Sequence, residues 1–357
     1  MVDYDKLDSL SFSEFTKLFK TLPKTEIHLH LEGMLTVNSI WSLIHENNIT
    51  IEGIKKKADL AERFRIESLD EFIDLFINVI QACLKKPEDM NYLIKDARKY
   101  LKRNNIEYAE IFFAPTKLLK NGIAFHEMIR ILQEGAERIW KEDKRKIEFI
   151  LDVSRSYGTE NAMNNLDLFL SGSTDYFLGI GLGGAEQKGP AEDYETVFQK
   201  AKERGLHLVA HAGEDVGPAS IWSAVQHLHA ERIGHGISAK FDENLMDLLA
   251  KKQIPLEICP TSNVFTRRYA TGYNDHPIRK FYDRGIKVTV NTDDPTIFGF
   301  DLNSEYLNLV EKKVFSQSEI IKLLKNTVYS TFLSTEEKDK LWKKIATKIQ
   351  KYIEKVA

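Results

Sequence analysis

Apolar and polar positions follow two rhythms along this chain. Short runs that alternate or stay apolar, rich in β-branched residues, occur at 25–30, 107–114, 147–154, 176–182, 206–212, 231–236, 255–260 and 286–292. Eight strands are predicted there. Between them, apolar residues recur at three- and four-residue spacing, as in Leu69, Phe72, Ile73, Phe76 and Ile80, or Leu245, Leu248 and Leu249. That spacing puts one apolar stripe on a helix. Strands that alternate with helices predict an α/β fold with a parallel sheet. Eight of them fit a closed (β/α)8 TIM barrel, although an open doubly wound sheet satisfies the same alternation. The roughly 75 residues between the first and second strands are too many for one crossover helix, so additional helices are expected there, placed to act as a lid. A further helix is expected at the C-terminus, where Ser334 and Glu337 have capping-box spacing and Trp342, Ile345, Ile349 and Ile353 form a stripe.

Composition narrows this picture. The chain has 357 residues, 43% of them hydrophobic, enough for a large core. No Pro/Gly/Ser linker or low-complexity block divides it, so residues 1–357 are expected to form a single barrel domain. A net charge of −3, from 50 basic and 53 acidic residues, gives no field that favours nucleic acid. The basic runs at 55–57 and 141–146 are brief or mixed and read as solvated faces. Cys83 and Cys259 are the two cysteines, far apart and without disulfide or zinc-knuckle spacing, which suits a reducing cytoplasm. The N-terminal stretch is acidic and amphipathic rather than signal-like, and no apolar run is long enough to cross a bilayer. No membrane and no nucleic acid are therefore expected as partners. Oligomeric state is not legible.

Chemistry enters with "TEIHLHLEG" at 25–33. In an extended chain His28 and His30 share one face, while Ile27, Leu29 and Leu31 share the other. In a parallel barrel the working residues gather where strands end. The fifth strand ends in "AHAGE", with His211 and Glu214; the sixth in "GHG", with His235; the eighth in "TDDP", with Asp293 and Asp294. Each has an ordinary alternative. Glu214 could start a helix, Asp293 and Asp294 could cap one beside Pro295, and His235 could simply sit in a turn. Four strand ends bearing ligand-type side chains on one rim are a stronger pattern. His28, His30, His211 and Asp293 offer the nitrogen and oxygen donors that one Zn2+ ion per chain prefers, ahead of iron or another divalent metal. Such an ion lowers the pKa of a water from about 15.7 to about 7, a larger effect than a positioned base alone supplies. His235 is then free to orient or deprotonate that water, and Glu214 to deliver a proton. His45, His126, His207, His227, His229 and His276 fall outside the pattern and read as structural or solvated.

The motifs "TEIHLHLEG", "HAGE", "RIGHG", "CPTSN" and "VNTDDP", in this order, resemble the adenosine deaminase family of the amidohydrolase superfamily over about residues 22 to 305. The resemblance implies zinc on His28, His30, His211 and Asp293, with Glu214 protonating a purine ring nitrogen and His235 handling the attacking water. It also implies substrate contacts from His30, Asp294 and the backbone of Gly184, and a small-molecule 6-aminopurine nucleoside as substrate, released as a 6-oxopurine and ammonia. Glu32 stands where adenosine-acting members usually carry Asp, a residue expected to meet the sugar hydroxyl. "GLGGAE" at 181–186 likewise replaces "DLAGDE". The longer carboxylate at Glu32 resembles branches acting on adenine or aminodeoxyfutalosine, whereas the glycine-rich run favours a nucleoside-type pocket over a bare-base one. Two other classes stay open: a binuclear amidohydrolase, for which Glu186 lies near the end of the fourth strand, and a non-enzymatic relative. The zinc deaminases of bases within nucleic acid use a P-C-x-x-C signature that this chain lacks.

Overall fold

In the computed structural model, which describes residues 2–66 and 69–356 and only the backbone of Leu69 and Asp70, all eight expected strands form. They are β1 Lys24–Glu26, β2 Ile106–Phe113, β3 Lys146–Ser154, β4 Phe177–Gly183, β5 His207–Ala212, β6 Arg232–His235, β7 Leu256–Ile258 and β8 Val288–Val290. Each pairs in parallel with the next, in the order β1 to β8. The open doubly wound sheet is excluded, because its strand order is not sequential.

The seam between the last and first strands is closed by the residues of greatest chemical interest. Past β1, the chain bridges to the end of β8 through Leu29 and Asp293. The His30 amide donates to the Asp293 carbonyl at 2.9 Å, and the Asp293 amide to the His28 carbonyl at 3.2 Å. β1 is shorter than the expected 25–30 because the Ile27 amide donates to the Asn291 side chain at 3.1 Å instead of to a neighbouring strand. Inside the barrel, Phe112, Ile150 and Val209 form a small apolar cluster separate from the main core, which lies between sheet and helices.

Between β1 and β2 run the expected additional helices, among them Val37–Glu46, Lys57–Arg63, Leu69–Asp74 and Met90–Asn104. After Leu69–Asp74 the chain widens into a π-helical turn, Leu75–Ile80. Leu75, Val79 and Ile80 face the core, whereas Phe72, Ile73 and Phe76 are only partly buried and overhang the barrel mouth. The apolar stripe predicted for this segment thus divides between core and lid; the Leu69 side chain lies outside the described residues. A π-turn shifts the stripe around the helix axis, so one segment serves two surfaces. At the other end, helix Thr335–Val356 starts on the expected capping box. The Glu337 amide donates to Ser334 Oγ at 3.3 Å, the Ser334 amide to Glu337 Oε2 at 3.0 Å, and Ile345, Ile349 and Ile353 are buried. Cys83 and Cys259 are free and buried. Among the described residues no helix is long and apolar enough to cross a membrane.

Candidate active site at the C-terminal ends of the strands

His28, His30, His211 and Asp293 come together at the strand ends, with potential ligand atoms all within 4.8 Å of one another. His30 Nε2 lies 3.2 Å from His211 Nε2 and 3.3 Å from Asp293 Oδ1; His28 Nε2 lies 3.5 Å from the same oxygen. Donors at about 2.0–2.1 Å from a tetrahedral zinc stand about 3.3–3.4 Å apart, so these spacings suit one small cation. The electrostatics agree. Two buried carboxylates, Asp293 and Glu257, flank His28 and raise its pKa to about 10 against the opposing effect of burial. The two carboxylates thus favour a positive charge at this place. Burial lowers the pKa of His30 to about 4 and that of His211 well below its usual value, which leaves neutral imidazoles with lone pairs to offer. A second potential set, His28, His235, Cys259 and Asp293, shares two members with the first and marks the same place.

The ligand side chains are held from behind. His28 Nδ1 lies 2.8 Å from Glu257 Oε2, which turns Nε2 toward the cluster. Glu257 is held by Arg232 at 2.6 Å, Arg232 also pairs with Glu110 at 2.5 Å, and the guanidinium stacks 3.8 Å over Phe332. Gly234 makes room for this arrangement: a Cβ there would come within 2.7 Å of His28 Cε1. Ser262 Oγ donates to Asp293 Oδ2 at 2.7 Å, leaving Oδ1 toward the imidazoles. Asp293 and His235 both have left-handed backbone, with φ of 65° and 59°. That conformation costs on the order of 1–3 kcal/mol per residue and persists where surrounding structure enforces it.

Beside the cluster, His235 Nε2 lies 3.4 Å from Glu214 Oε2 and 3.9 Å from Asp293 Oδ2. The proton on His235 can be placed from a backbone amide. Ile278 N–H donates to His276 Nδ1 at 3.1 Å, so the His276 proton is on Nε2, which faces Asn263 Oδ1 at 3.4 Å. The Asn263 amino group then donates to His235 Nδ1 at 3.0 Å. Burial keeps both imidazoles neutral, with pKa values of about 3, so His235 carries its proton on Nε2 and presents a donor to the site. His276, which the sequence pattern left as structural, is thus the start of a tautomer-setting chain. Nothing in a lone "HP" dipeptide signals that.

Glu214 lies in a loop rather than at a helix start; the next helix is Pro218–Gln226. Burial, followed by the negative charges of Asp293 and Glu186, pushes its pKa well up. Glu186 clamps the loop. Its carboxylate accepts from the amides of Gly213 at 2.5 Å, Glu214 at 3.1 Å, Asp215 at 2.8 Å and Val216 at 2.9 Å, and from the Ser220 hydroxyl. This occupation argues against a binuclear centre, because Glu186 is spent on loop amides rather than turned toward a second metal. Glu186→Gln replaces one acceptor oxygen with an amino group facing N–H donors. We expect kcat to fall by about 10²-fold through misplacement of Glu214, with metal content unchanged. Turnover and metal analysis on one preparation check this, and an undiminished kcat would show that the loop holds itself.

The remaining candidates ring a cavity above the cluster. His30, His211, Glu214, His235, Asp293, Asp294 and Gly184 all line it. Asp294 occupies the N-cap position of Pro295–Phe298, yet its side chain makes no capping hydrogen bond and its Oδ1 is buried without a partner. Glu32 stands behind the wall. Its Oε1 accepts from Gln81 Nε2 and the Ala114 amide, both at 3.1 Å, and those two residues face the cavity in front of it. The mouth is apolar: Phe72 and Phe298 stack at 5.7 Å, and Phe265 packs on Phe298 at 5.3 Å. The sequence reading missed Gln81, Asp152, Asn263 and Glu257. Of these only Asn263 lay within a quoted motif, "CPTSN".

A sequential parallel barrel with a buried His/Asp cluster at its C-terminal rim, next to a carboxyl and an imidazole, has the layout of the amidohydrolase superfamily. Residues 23–348 match the family described as adenosine deaminase, and the chain belongs to that family. An adenosine deaminase of Shewanella loihica is 31% identical over 331 residues, covering 90% of this chain and 98% of that one. An aminodeoxyfutalosine deaminase of Streptomyces coelicolor is 33% identical over 331 residues, covering 91% and 84%. A crystal structure of an adenine deaminase from Arthrobacter aurescens superposes with a TM-score of 0.87 at 30% identity, covering 92% and 100%. Family membership makes the chain a hydrolytic deaminase of an aminopurine.

Proposed function

We propose that this protein uses zinc to deaminate a 6-aminopurine nucleoside, with water as co-substrate and a 6-oxopurine and ammonia as products. The observation that carries this reading is the convergence of His28, His30, His211 and Asp293 within 4.8 Å, with Glu214 and His235 beside them. Those four residues would hold the ion, which when bound supplies a water acidified to near neutrality.

The chain's own groups do the rest. Glu214, whose pKa is pushed up by burial and neighbouring charge, gives its proton to the ring nitrogen next to the attacked carbon. That transfer makes the carbon more electrophilic. His235, with Nε2–H toward the site, orients the attacking oxygen by donating to it; of the two roles left open by the sequence, the tautomer chain supports this one. Asp294 offers its carboxylate to the purine's imidazole edge and Gly184 its backbone to the pyrimidine edge, both residues lining the cavity. The lid aromatics exclude bulk water and so strengthen each of these interactions. The 357 residues act as one barrel domain in this reading.

Glu32 bears on the sugar end through Gln81 and Ala114, which its Oε1 holds at the cavity wall, while its Oε2 is buried without a partner. A panel of adenine, adenosine, methylthioadenosine and aminodeoxyfutalosine, assayed for ammonia release by zinc-loaded protein, tests the reading. Highest kcat/KM is expected on a nucleoside. No ammonia from any of the four would end the proposal, and adenine as the best substrate would remove its nucleoside half.

A further inference from the structure

The cavity wall opposite Asp294 is built from the ends of β3 and β4, and one residue there has no role so far. Asp152, near the end of β3, is 5% exposed and lines the cavity. It forms no ion pair among the described residues. The nearest guanidinium, Arg155, gives its hydrogen bonds to the carbonyls of Gly189, Leu182 and His211 instead. Asp152 Oδ1 is buried without any hydrogen-bond partner.

The neighbouring strand is shaped around this carboxylate. A Cβ on Gly183 would come within 2.6 Å of both Asp152 oxygens. The glycine run "GLGGAE" therefore has a steric reason in this chain: it leaves space for a carboxylate at the cavity wall. A buried acceptor left unpaired costs about 1–3 kcal/mol, and such groups in folded proteins call for a partner. The Gly183 backbone donates a hydrogen bond to the carboxylate, and a partner for the free oxygen can come from what fills the cavity.

The position of Asp152 says which part of a substrate it meets. The amino-bearing carbon must lie by His211, Glu214 and His235, and the purine's imidazole edge by Asp294. Gly184, next to Gly183, also lines the cavity, where the proposed function puts the opposite edge. We propose that Asp152 is a specificity-determining residue: its free oxygen accepts a hydrogen bond from a donor at or attached to position 9 of the purine. This inference rests on the aminopurine reading of the site. Two sources supply that chemistry, the N9–H of a free base and a hydroxyl of a sugar carried on N9. A site built to accept a hydrogen bond rejects analogues that lack the donor by large factors, because its buried oxygen is then left unpaired.

Two matched pairs separate the sources: adenine against 9-methyladenine, and adenosine against 2′,3′-dideoxyadenosine. Wild-type kcat/KM is expected to favour the donor-bearing member of one pair by on the order of 10²-fold or more. Asp152→Asn keeps the volume but turns an amino group toward the ligand, and Asp152→Ala removes the acceptor. Both should collapse that preference to within about threefold, with bound zinc unchanged. The pair that collapses identifies the donor. Equal wild-type rates within both pairs, or a preference that survives in both variants, would overturn the proposal. If the zinc-loaded protein releases no ammonia from any of the four, the reaction assigned above fails. The same ratios, measured as Kd by calorimetry, still decide the role of Asp152.

Discussion

Glu214→Gln is expected to lower kcat by about 10²–10⁴-fold while zinc stays bound, because an amide fills the same space without supplying a proton. Retained metal follows from the geometry: Glu214 lies beside His235 and is not among the four clustered donors. The pH profile gives an independent check. Burial first, and then the charges of Asp293 and Glu186, hold the Glu214 pKa well above its usual value. The acid form is the active one, so wild-type kcat should fall as pH rises through that elevated pKa. In the glutamine variant this alkaline limb should disappear, leaving a low, flatter profile. Full turnover, or an unchanged alkaline limb, would place the proton donor elsewhere.

His211→Ala is expected to cost both metal and rate. It removes one of four donors and leaves His30 Nε2, now 3.2 Å from His211 Nε2, without that neighbour. Loss of a ligand from a closed cluster weakens metal binding, and ligand binding to the folded state is itself stabilising. Wild-type Tm should therefore rise on adding zinc, and the variant's Tm should respond far less. Turnover should fall by at least about 10³-fold, since the acidified water and its orientation are lost together. The decisive measurement is zinc per chain after dialysis against a weak chelator. Stoichiometric zinc in the variant would contradict the assignment of His211 as a ligand.

Much of this site can be read along the chain because strands impose a strict register. A period of two puts His28 and His30 on one side, and a parallel barrel sends all strand ends to one rim, so "HLH", "HAGE", "GHG" and "TDDP" had to meet. All eight strands lie within a few residues of their expected positions for the same reason. The lid was legible as extra helices but not as a surface. Phe72 and Phe76 have the spacing of core residues, and the π-turn at Leu75–Ile80, which turns them to the mouth, leaves no mark in apolar periodicity. Glu32 is legible only in part: its place in the first motif suggests a substrate contact, whereas its Oε1 is engaged by Gln81, 49 residues on, and its Oε2 is buried without a partner.

The sequence alone determined the kind of chemistry: which side chains end the strands, how many imidazoles and carboxylates they bring, and that they share one end of a barrel. Those facts depend on local periodicity, which neighbouring residues fix among themselves. Only the tertiary structure decided the partners of each group. It seated Glu257 behind His28, ran the proton order from Ile278 through His276 and Asn263 to His235, spent Glu186 on the loop of Glu214, and left one oxygen of Asp152 without a partner at the cavity wall. Such pairings join residues that are distant in the chain, and the short range of hydrogen bonds means that only the folded packing of strands and loops can bring them within reach.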